Sequence, residues 1–344
     1  MESLNQDILP MNSKENDSKK ELCVEFLPKG DLHVHLNGLI SKAMMQDILH
    51  KEKSFYSETI DINPYLEKTK PYKSLQEYIR IWDVFRLVPN HRSSLKLMME
   101  DAFINLKKDN VRFAEIRNSV IYISLLNDIT VTEALRWLLE YLDVFSEKYG
   151  IKAGFIPTVS RGDYCIDNFK ALLKAYEALG CPKSIVGIDL AGDEDYQCPK
   201  ELAKLFRVTK EKYNLKITIH AGETGNPNNI RDAIINYGAD RIGHGTAASK
   251  SKEVMQLLKE KDICIEVCPI SNYLTGAVKS LNKHPVSDFI KNNVPFVICS
   301  DNPGFHDASL SEDYKLFINA VNDSSQIENM FDKQKKYTFI KGLQ

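Results

Sequence analysis

The segment Pro295-Phe296-Val297-Ile298-Cys299-Ser300-Asp301-Asn302-Pro303 is a short apolar run that stops abruptly in polar residues. Its hydrophobicity is continuous rather than alternating, which suits a strand buried on both faces of a parallel sheet. Seven more runs of this kind precede it, at 30–36, 111–117, 152–159, 184–190, 215–220, 241–244 and 263–268. Longer helix-compatible stretches separate them, among them 130–148, 168–179 and 200–212. Eight strand–helix alternations predict an α/β fold, a (β/α)8 TIM barrel. The rival is a doubly wound sheet, but no Gly-x-Gly-x-x-Gly stands at a strand–helix junction. About 75 residues separate the first two runs, too many for one helix, so a helical lid inserted after strand 1 is expected.

Composition narrows the function classes. The chain has 344 residues and a formal net charge of -2, from 45 basic and 47 acidic side chains. Such a balance argues against a polynucleotide partner. No apolar run approaches the ~18 residues of a membrane span. The seven cysteines are odd in number and scattered, which suits reduced thiols in a cytoplasmic setting. Residues 1–20 are polar and charged with no apolar core, so a flexible N-terminal arm is expected there rather than a targeting segment. No repeat or Gly/Ser linker divides residues 21–344, which favours one continuous domain.

The polar residues that end the runs carry the chemistry. The first run contains His33-Val34-His35, and residues two apart on a strand share a face, so both imidazoles converge. Alone, a His-x-His pair is more often a solvated or core-satisfied pair than half a metal site. The fifth run ends in His220-Ala221-Gly222-Glu223, the sixth in Gly243-His244-Gly245, the eighth in Ser300-Asp301-Asn302-Pro303. In a barrel these are C-terminal strand ends, where such enzymes place their active sites. Histidines and a carboxylate from several strands suit one divalent ion, most simply Zn²⁺. Zinc lowers the pKa of its bound water towards ~7. A glutamate three residues after a ligand histidine can exchange protons without ligating. His244 is equally consistent with a further ligand and with a group that positions hydroxide.

These stretches resemble the adenosine deaminase family of the amidohydrolase superfamily. The matching segments are 27–29 leading into His33-Val34-His35-Leu36, then Gly187-Ile188-Asp189-Leu190-Ala191-Gly192-Asp193-Glu194, His220-Ala221-Gly222-Glu223, Arg241-Ile242-Gly243-His244-Gly245, Cys268-Pro269 with Tyr273-Leu274-Thr275-Gly276, and Ser300-Asp301-Asn302-Pro303. They follow one another in family order from about residue 27 to about residue 315. The resemblance implies a (β/α)8 barrel with one zinc held by His33, His35, His220 and Asp301. It implies that Glu223 protonates purine N1, that His244 orients the attacking hydroxide, and that the Gly192 N–H meets purine N3. The implied reaction is hydrolytic loss of ammonia from C6 of a 6-aminopurine nucleoside or its 5′-monophosphate.

The lid has its own signature. Leu75, Tyr78, Ile79, Trp82 and Phe85 form an apolar stripe within 74–88, with Glu77, Arg80, Asp83 and Arg86 opposite. Periodicity alone favours plain helix–core packing. The resemblance places the helix over the pocket mouth, with Tyr78 and Trp82 towards the substrate.

Two positions depart from the family pattern. Asn37 stands where classical members carry an aspartate that accepts a hydrogen bond from the ribose 5′-hydroxyl. A carboxylate there repels a 5′-phosphate, whereas an amide can donate to one. The branch acting on N6-modified AMP resembles this chain at that position. Two substrates are therefore expected to compete: a nucleoside, and AMP, dAMP or N6-modified AMP with Lys29, Lys70, Lys73 or Arg80 serving the phosphate. Asn302 replaces a second aspartate that holds purine N7, and its amide N–H can donate there at any pH.

The other histidines lie off these motifs. His50 and His91 read as surface residues, His284 as packing, and His306 as a possible neighbour of the substrate. Cys264, Cys268 and Cys299 read as small apolar core groups. A two-metal hydrolase is disfavoured because no lysine ends the fourth run. The His-x-Glu and Pro-Cys-x-x-Cys signatures of base-flipping deaminases are absent. A catalytically inactive purine-nucleoside-binding protein would be expected to lack a ligand or Glu223, and all are present.

Overall fold

Each of the eight apolar runs forms a strand in the computed structural model, which describes residues 23–52 and 71–343. The strands are β1 Lys29–His35, β2 Val111–Asn118, β3 Lys152–Ser160, β4 Gly187–Ala191, β5 Lys216–Ala221, β6 Arg241–His244, β7 Cys264–Val267 and β8 Phe296–Ile298. They pair in parallel, each with the next in chain order. The barrel closes where Val34 of β1 forms a bridge with Asp301, in the segment just after β8. The His35 N–H donates to the Asp301 carbonyl and the Asp301 N–H to the His33 carbonyl, both at 2.8 Å. The N-terminal arm and Lys70 lie outside the described residues.

The connecting helices bury the faces their sequences offer. Helix Val131–Tyr149 starts at Thr130, whose hydroxyl accepts the Glu133 N–H, and buries Ala134, Leu135, Leu138, Leu139, Leu142 and Phe145. Each large apolar side chain so buried contributes roughly 1.5–3 kcal/mol. The helix stops at Gly150, whose left-handed φ of 64° costs glycine little. Helix Cys165–Ala178 begins earlier than the 168–179 pattern predicts, and Lys200–Tyr213 ends one residue beyond its pattern. Cys264, Cys268 and Cys299 are buried in the core, as expected of small apolar groups. No helix among the described residues is long and apolar enough to cross a membrane.

The insertion between β1 and β2 is helical, as expected, but its lid is not one helix. Residues 74–88 form two short helices, Leu75–Ile79 and Trp82–Phe85. The hydrogen bonds tighten at their junction: Ile81 N–H reaches the Tyr78 carbonyl and Val84 N–H the Ile81 carbonyl, each three residues back. Leu75, Tyr78, Ile81 and Val84 are spaced by three and all are buried. A turn of three residues keeps that spacing on one side, where a regular α-helix would rotate it away.

The lower barrel is filled with charge. Arg117 and Arg241 are buried among Glu115, Asp189 and Glu266. Arg241 Nε donates to Glu266 Oε1 at 2.6 Å, its Nη2 pairs with Glu115, and Arg117 Nη2 donates to Glu266 Oε2 at 3.1 Å. The C-terminal helix Met330–Tyr337 closes the floor. Gln334 accepts from the Gly30 N–H at 2.8 Å and donates to the Ile298 carbonyl at 3.0 Å, so one amide ties β1 to β8.

Candidate active site

His33, His35, His220 and Asp301 gather at the C-terminal rim of the barrel. One potential ligand atom from each lies within 4.8 Å of all the others, and all four residues are buried. Asp301 Oδ1 is 3.4 Å from the Nε2 atoms of both His33 and His35. His35 Nε2 lies 3.3 Å from His220 Nε2. His33 Nε2 is buried without a hydrogen-bond partner.

Carboxylates beneath the cluster fix the rings. His33 Nδ1 is 2.7 Å from Glu266 and His220 Nδ1 is 2.9 Å from Asp189. Although burial opposes it, Arg117 and Arg241 hold Glu266 well below the usual carboxylate range. Burial likewise opposes ionisation of Asp189, but His220 and Arg117 hold it low. An ionised carboxylate can only accept, so each Nδ1 carries its proton and each Nε2 lone pair points into the cluster. Such carboxylate–histidine pairs are what metal-binding imidazoles use to fix tautomer and raise basicity. Ser271 Oγ donates to Asp301 Oδ2 at 2.6 Å and leaves Oδ1 to the histidines. Inward lone pairs and a buried carboxylate fit a divalent cation, and His₃Asp suits borderline-soft zinc. Glu266, Asp189, Arg117 and Ser271 went unnoticed as site residues in the sequence. The inward-facing Glu266 within an apolar strand was the available signal, because an acid is rarely buried without a partner.

Glu223 and His244 stand beside the cluster, with His244 Nε2 3.7 Å from Glu223 Oε2. Burial, followed by the negative charges of Glu194 and Asp301, raises the Glu223 pKa well above the usual range. Glu194 accepts the N–H groups of Gly222 and Thr224 and so braces the loop that carries Glu223. Burial, then the neighbouring His33, holds His244 well below the ordinary histidine value. His244 and Asp301 both adopt left-handed backbone, at φ 64° and 62°. Residues other than glycine adopt that region at some cost, and such strain concentrates at functional sites. Gly243 leaves room for this, since a Cβ there would sit 3.0 Å from the His33 ring. Arg161, also missed in the sequence, donates to the Gly192 carbonyl at 3.2 Å and the His220 carbonyl at 2.7 Å.

The lid packs onto this rim. The Trp82 ring meets His35 edge-on with 5.2 Å between centroids. The Tyr78 hydroxyl accepts from Asn302 Nδ2 at 2.9 Å and lies 3.0 Å from His306 Nε2. Gln76 reaches across to Asp193 in the loop after β4. His306 is therefore part of the lid's seat, while His50 and His91 are exposed.

Two expectations change. Lys29 starts β1 at the opposite end of the barrel, where its Nζ donates to the Leu27 and Asp109 carbonyls, so it is not a phosphate ligand at this rim. Asn37 spends its amide donors on the lid, donating to the Phe85 carbonyl at 2.6 Å and the Val88 carbonyl at 3.1 Å. Two carbonyls can be met only by the NH₂ end, so that end is not offered to a phosphate, and Oδ1 is left buried without a partner. Arg80 and Lys73 are exposed on the lid.

Comparison with known proteins agrees with this architecture. The family model described as adenosine deaminase matches residues 28–340. An adenosine deaminase of Clostridium botulinum (strain 657 / Type Ba4) is 30% identical over 329 residues, covering 90% of this chain and 98% of that protein. Among solved structures, Arabidopsis N6-mAMP deaminase superposes with a TM-score of 0.80 at 22% identity, covering 93% of this chain and 95% of that one. Adenine deaminase of Arthrobacter aurescens gives a TM-score of 0.79 at 20% identity, covering 90% and 93%. The two structural likenesses establish the fold, and the match along nearly the whole sequence establishes more: this chain belongs to the adenosine deaminase family, hydrolases that act on a purine amino group.

Proposed function

We propose that this protein is a zinc-dependent deaminase that converts a 6-aminopurine nucleoside, adenosine or deoxyadenosine, to its inosine form with release of ammonia. The observation that carries the reading is the His₃Asp cluster beside a buried glutamic acid whose pKa is raised well above the usual carboxylate range by its burial. His33, His35, His220 and Asp301 would hold the zinc. When bound, zinc supplies a water deprotonated near neutral pH. Glu223, whose burial favours its protonated form, would donate to purine N1 as C6 becomes tetrahedral, which makes the ring a better electron sink. His244 would orient the attacking oxygen. The Gly192 N–H and the Asn302 amide would face N3 and N7. Tyr78 and Trp82 would cover the sugar side and exclude water.

Asn37 favours a free 5′-hydroxyl. Its remaining atom is an unpartnered buried acceptor, which suits a hydroxyl donor and opposes a phosphate, itself all acceptor near neutral pH. A second reading, a deaminase of AMP, dAMP or N6-modified AMP, draws on the same residue: the neutral amide lacks the charge that would repel a phosphate. A screen on zinc-loaded protein decides between them, following conversion to the 6-oxopurine by absorbance with adenosine, 2′-deoxyadenosine, AMP, dAMP, N6-methyl-AMP and adenine; N6-methyl-AMP releases methylamine and the others ammonia. The nucleosides are expected to lead. A monophosphate preferred by about tenfold, some 1.4 kcal/mol, would establish the second reading. No 6-oxopurine from any substrate would leave an inactive purine-binding protein.

A further inference from the structure

Two buried side chains behind His244, Asn272 and His284, form a line with a backbone N–H that the reaction as described does not use. The Val286 N–H donates to His284 Nδ1 at 3.2 Å. His284 Nε2 lies 3.1 Å from Asn272 Oδ1, and Asn272 Nδ2 lies 3.0 Å from His244 Nδ1. Asn272 is fully buried, and its backbone is tied at both ends, its N–H to the Cys268 carbonyl and its carbonyl to the Val278 N–H. His284 comes from the loop ahead of helix Val286–Asn292, and Asn272 from helix Pro269–Leu274.

The polarity of this line is fixed from its far end. A backbone N–H can only donate, so His284 Nδ1 must be the bare nitrogen. Burial pushes the His284 pKa down to about 3, so the ring is neutral and its one proton sits on Nε2. That proton goes to the carbonyl end of Asn272. The amide then has only its NH₂ end to turn towards His244, and His244 Nδ1 must accept. A neutral His244 therefore carries its proton on Nε2, the nitrogen that faces Glu223.

We propose that His284, acting through Asn272, is a positioning residue that sets the tautomer of His244, so that His244 presents an Nε2–H donor to the attacking oxygen and cannot take a proton there. This rests on the reading of His244 as the residue that orients that oxygen. The arrangement assigns the two proton tasks to different groups. His244 holds the oxygen by donation, and Glu223 moves protons. It also gives His284, which reads in the sequence as packing, a chemical reason for its position.

The test is nitrogen spectroscopy of the zinc-loaded protein with ¹⁵N-labelled histidine, near neutral pH, beside kinetics with adenosine. In the unaltered protein His244 should show a protonated Nε2 and a bare Nδ1. Asn272→Asp keeps the shape but accepts from both sides. It should move the His244 proton to Nδ1 and lower kcat by about 10²-fold, with KM changed less than about threefold. His284→Leu should leave His244 without a single tautomer, whereas His284→Gln, whose amide NH₂ can replace Nε2–H, should restore both the spectrum and kcat. A bare Nε2 in the unaltered protein would overturn the proposal. So would a His244 spectrum indifferent to both Asn272→Asp and His284→Leu. The spectrum reads the tautomer whether or not adenosine is the substrate, so failure of the substrate assignment is seen separately.

Discussion

At the scale of single residues, Glu223 is the sharpest case. Its carboxyl is buried beside two other acids and lies 3.7 Å from His244, and it is not one of the four converging residues. Glu223→Gln keeps the size and loses the transferable proton. We expect metal content to stay near one zinc per chain by elemental analysis while kcat falls about 10²- to 10⁴-fold. His284 predicts a pH effect on stability. Its pKa is 6.5 in the open chain and about 3 when buried. Between those values the unfolded chain binds a proton that the native state refuses, so its contribution is full above about pH 6.5 and is lost as pH falls towards 3. The full span is on the order of 4–5 kcal/mol. Urea unfolding of metal-free protein from pH 7.5 down to 4.5 should show a steeper loss for the unaltered chain than for His284→Gln.

The residues that the sequence makes legible are those whose position on a strand sets their direction. His33 and His35 share a face by their spacing, and His220, His244 and Asp301 stand where apolar runs end. Lys29 misleads because proximity in sequence to His33 conceals that it lies at the other end of the same strand. Glu266, Asp189, Arg117 and Asn272 stay hidden for a different reason. Each acts through a partner from a remote strand or loop, and that pairing exists only once the barrel is formed.

At the scale of elements, the lid is the informative part. Its periodic stripe reads as a helix, but periodicity does not reveal that the backbone hydrogen bonds tighten from four residues to three around Ile81. Nor does it show that Asn37, beneath the lid, holds the carbonyls of Phe85 and Val88. Asn37→Ala removes both donors while leaving the metal cluster intact. The lid should open more often, raising KM about tenfold and accelerating amide exchange across 75–88 relative to the barrel helices. Unchanged exchange there would show that the aromatic contacts of Tyr78 and Trp82 hold the lid unaided.

At the scale of the whole molecule, the eight-fold alternation was legible from hydrophobic runs alone, because strands buried on both faces need unbroken apolar sequence. The floor was not. Helix Met330–Tyr337 is mostly polar, and its purpose rests on one side chain, Gln334, inserted between β1 and β8. Gln334→Leu would leave the Gly30 N–H and the Ile298 carbonyl buried and unpaired. Such groups cost about 1–3 kcal/mol each, so unfolding in urea should shift by roughly 2–5 kcal/mol with the metal cluster's composition unchanged.

The bridge between Val34 and Asp301 has a consequence for how the protein is made. It joins the two ends of the barrel through the peptide groups of the His₃Asp cluster itself. His33 and His35 leave the ribosome early, and Asp301 leaves near the end of synthesis. At ~5–20 residues per second, tens of seconds of translation separate them. During that interval the chain lacks both the segment that bridges to β1 and the carboxylate that completes the cluster. A contact of such long sequence separation is among the slowest to form. Closure of the barrel and completion of the His₃Asp cluster thus depend on the same residue, Asp301. A chain that stops short of β8 lacks both.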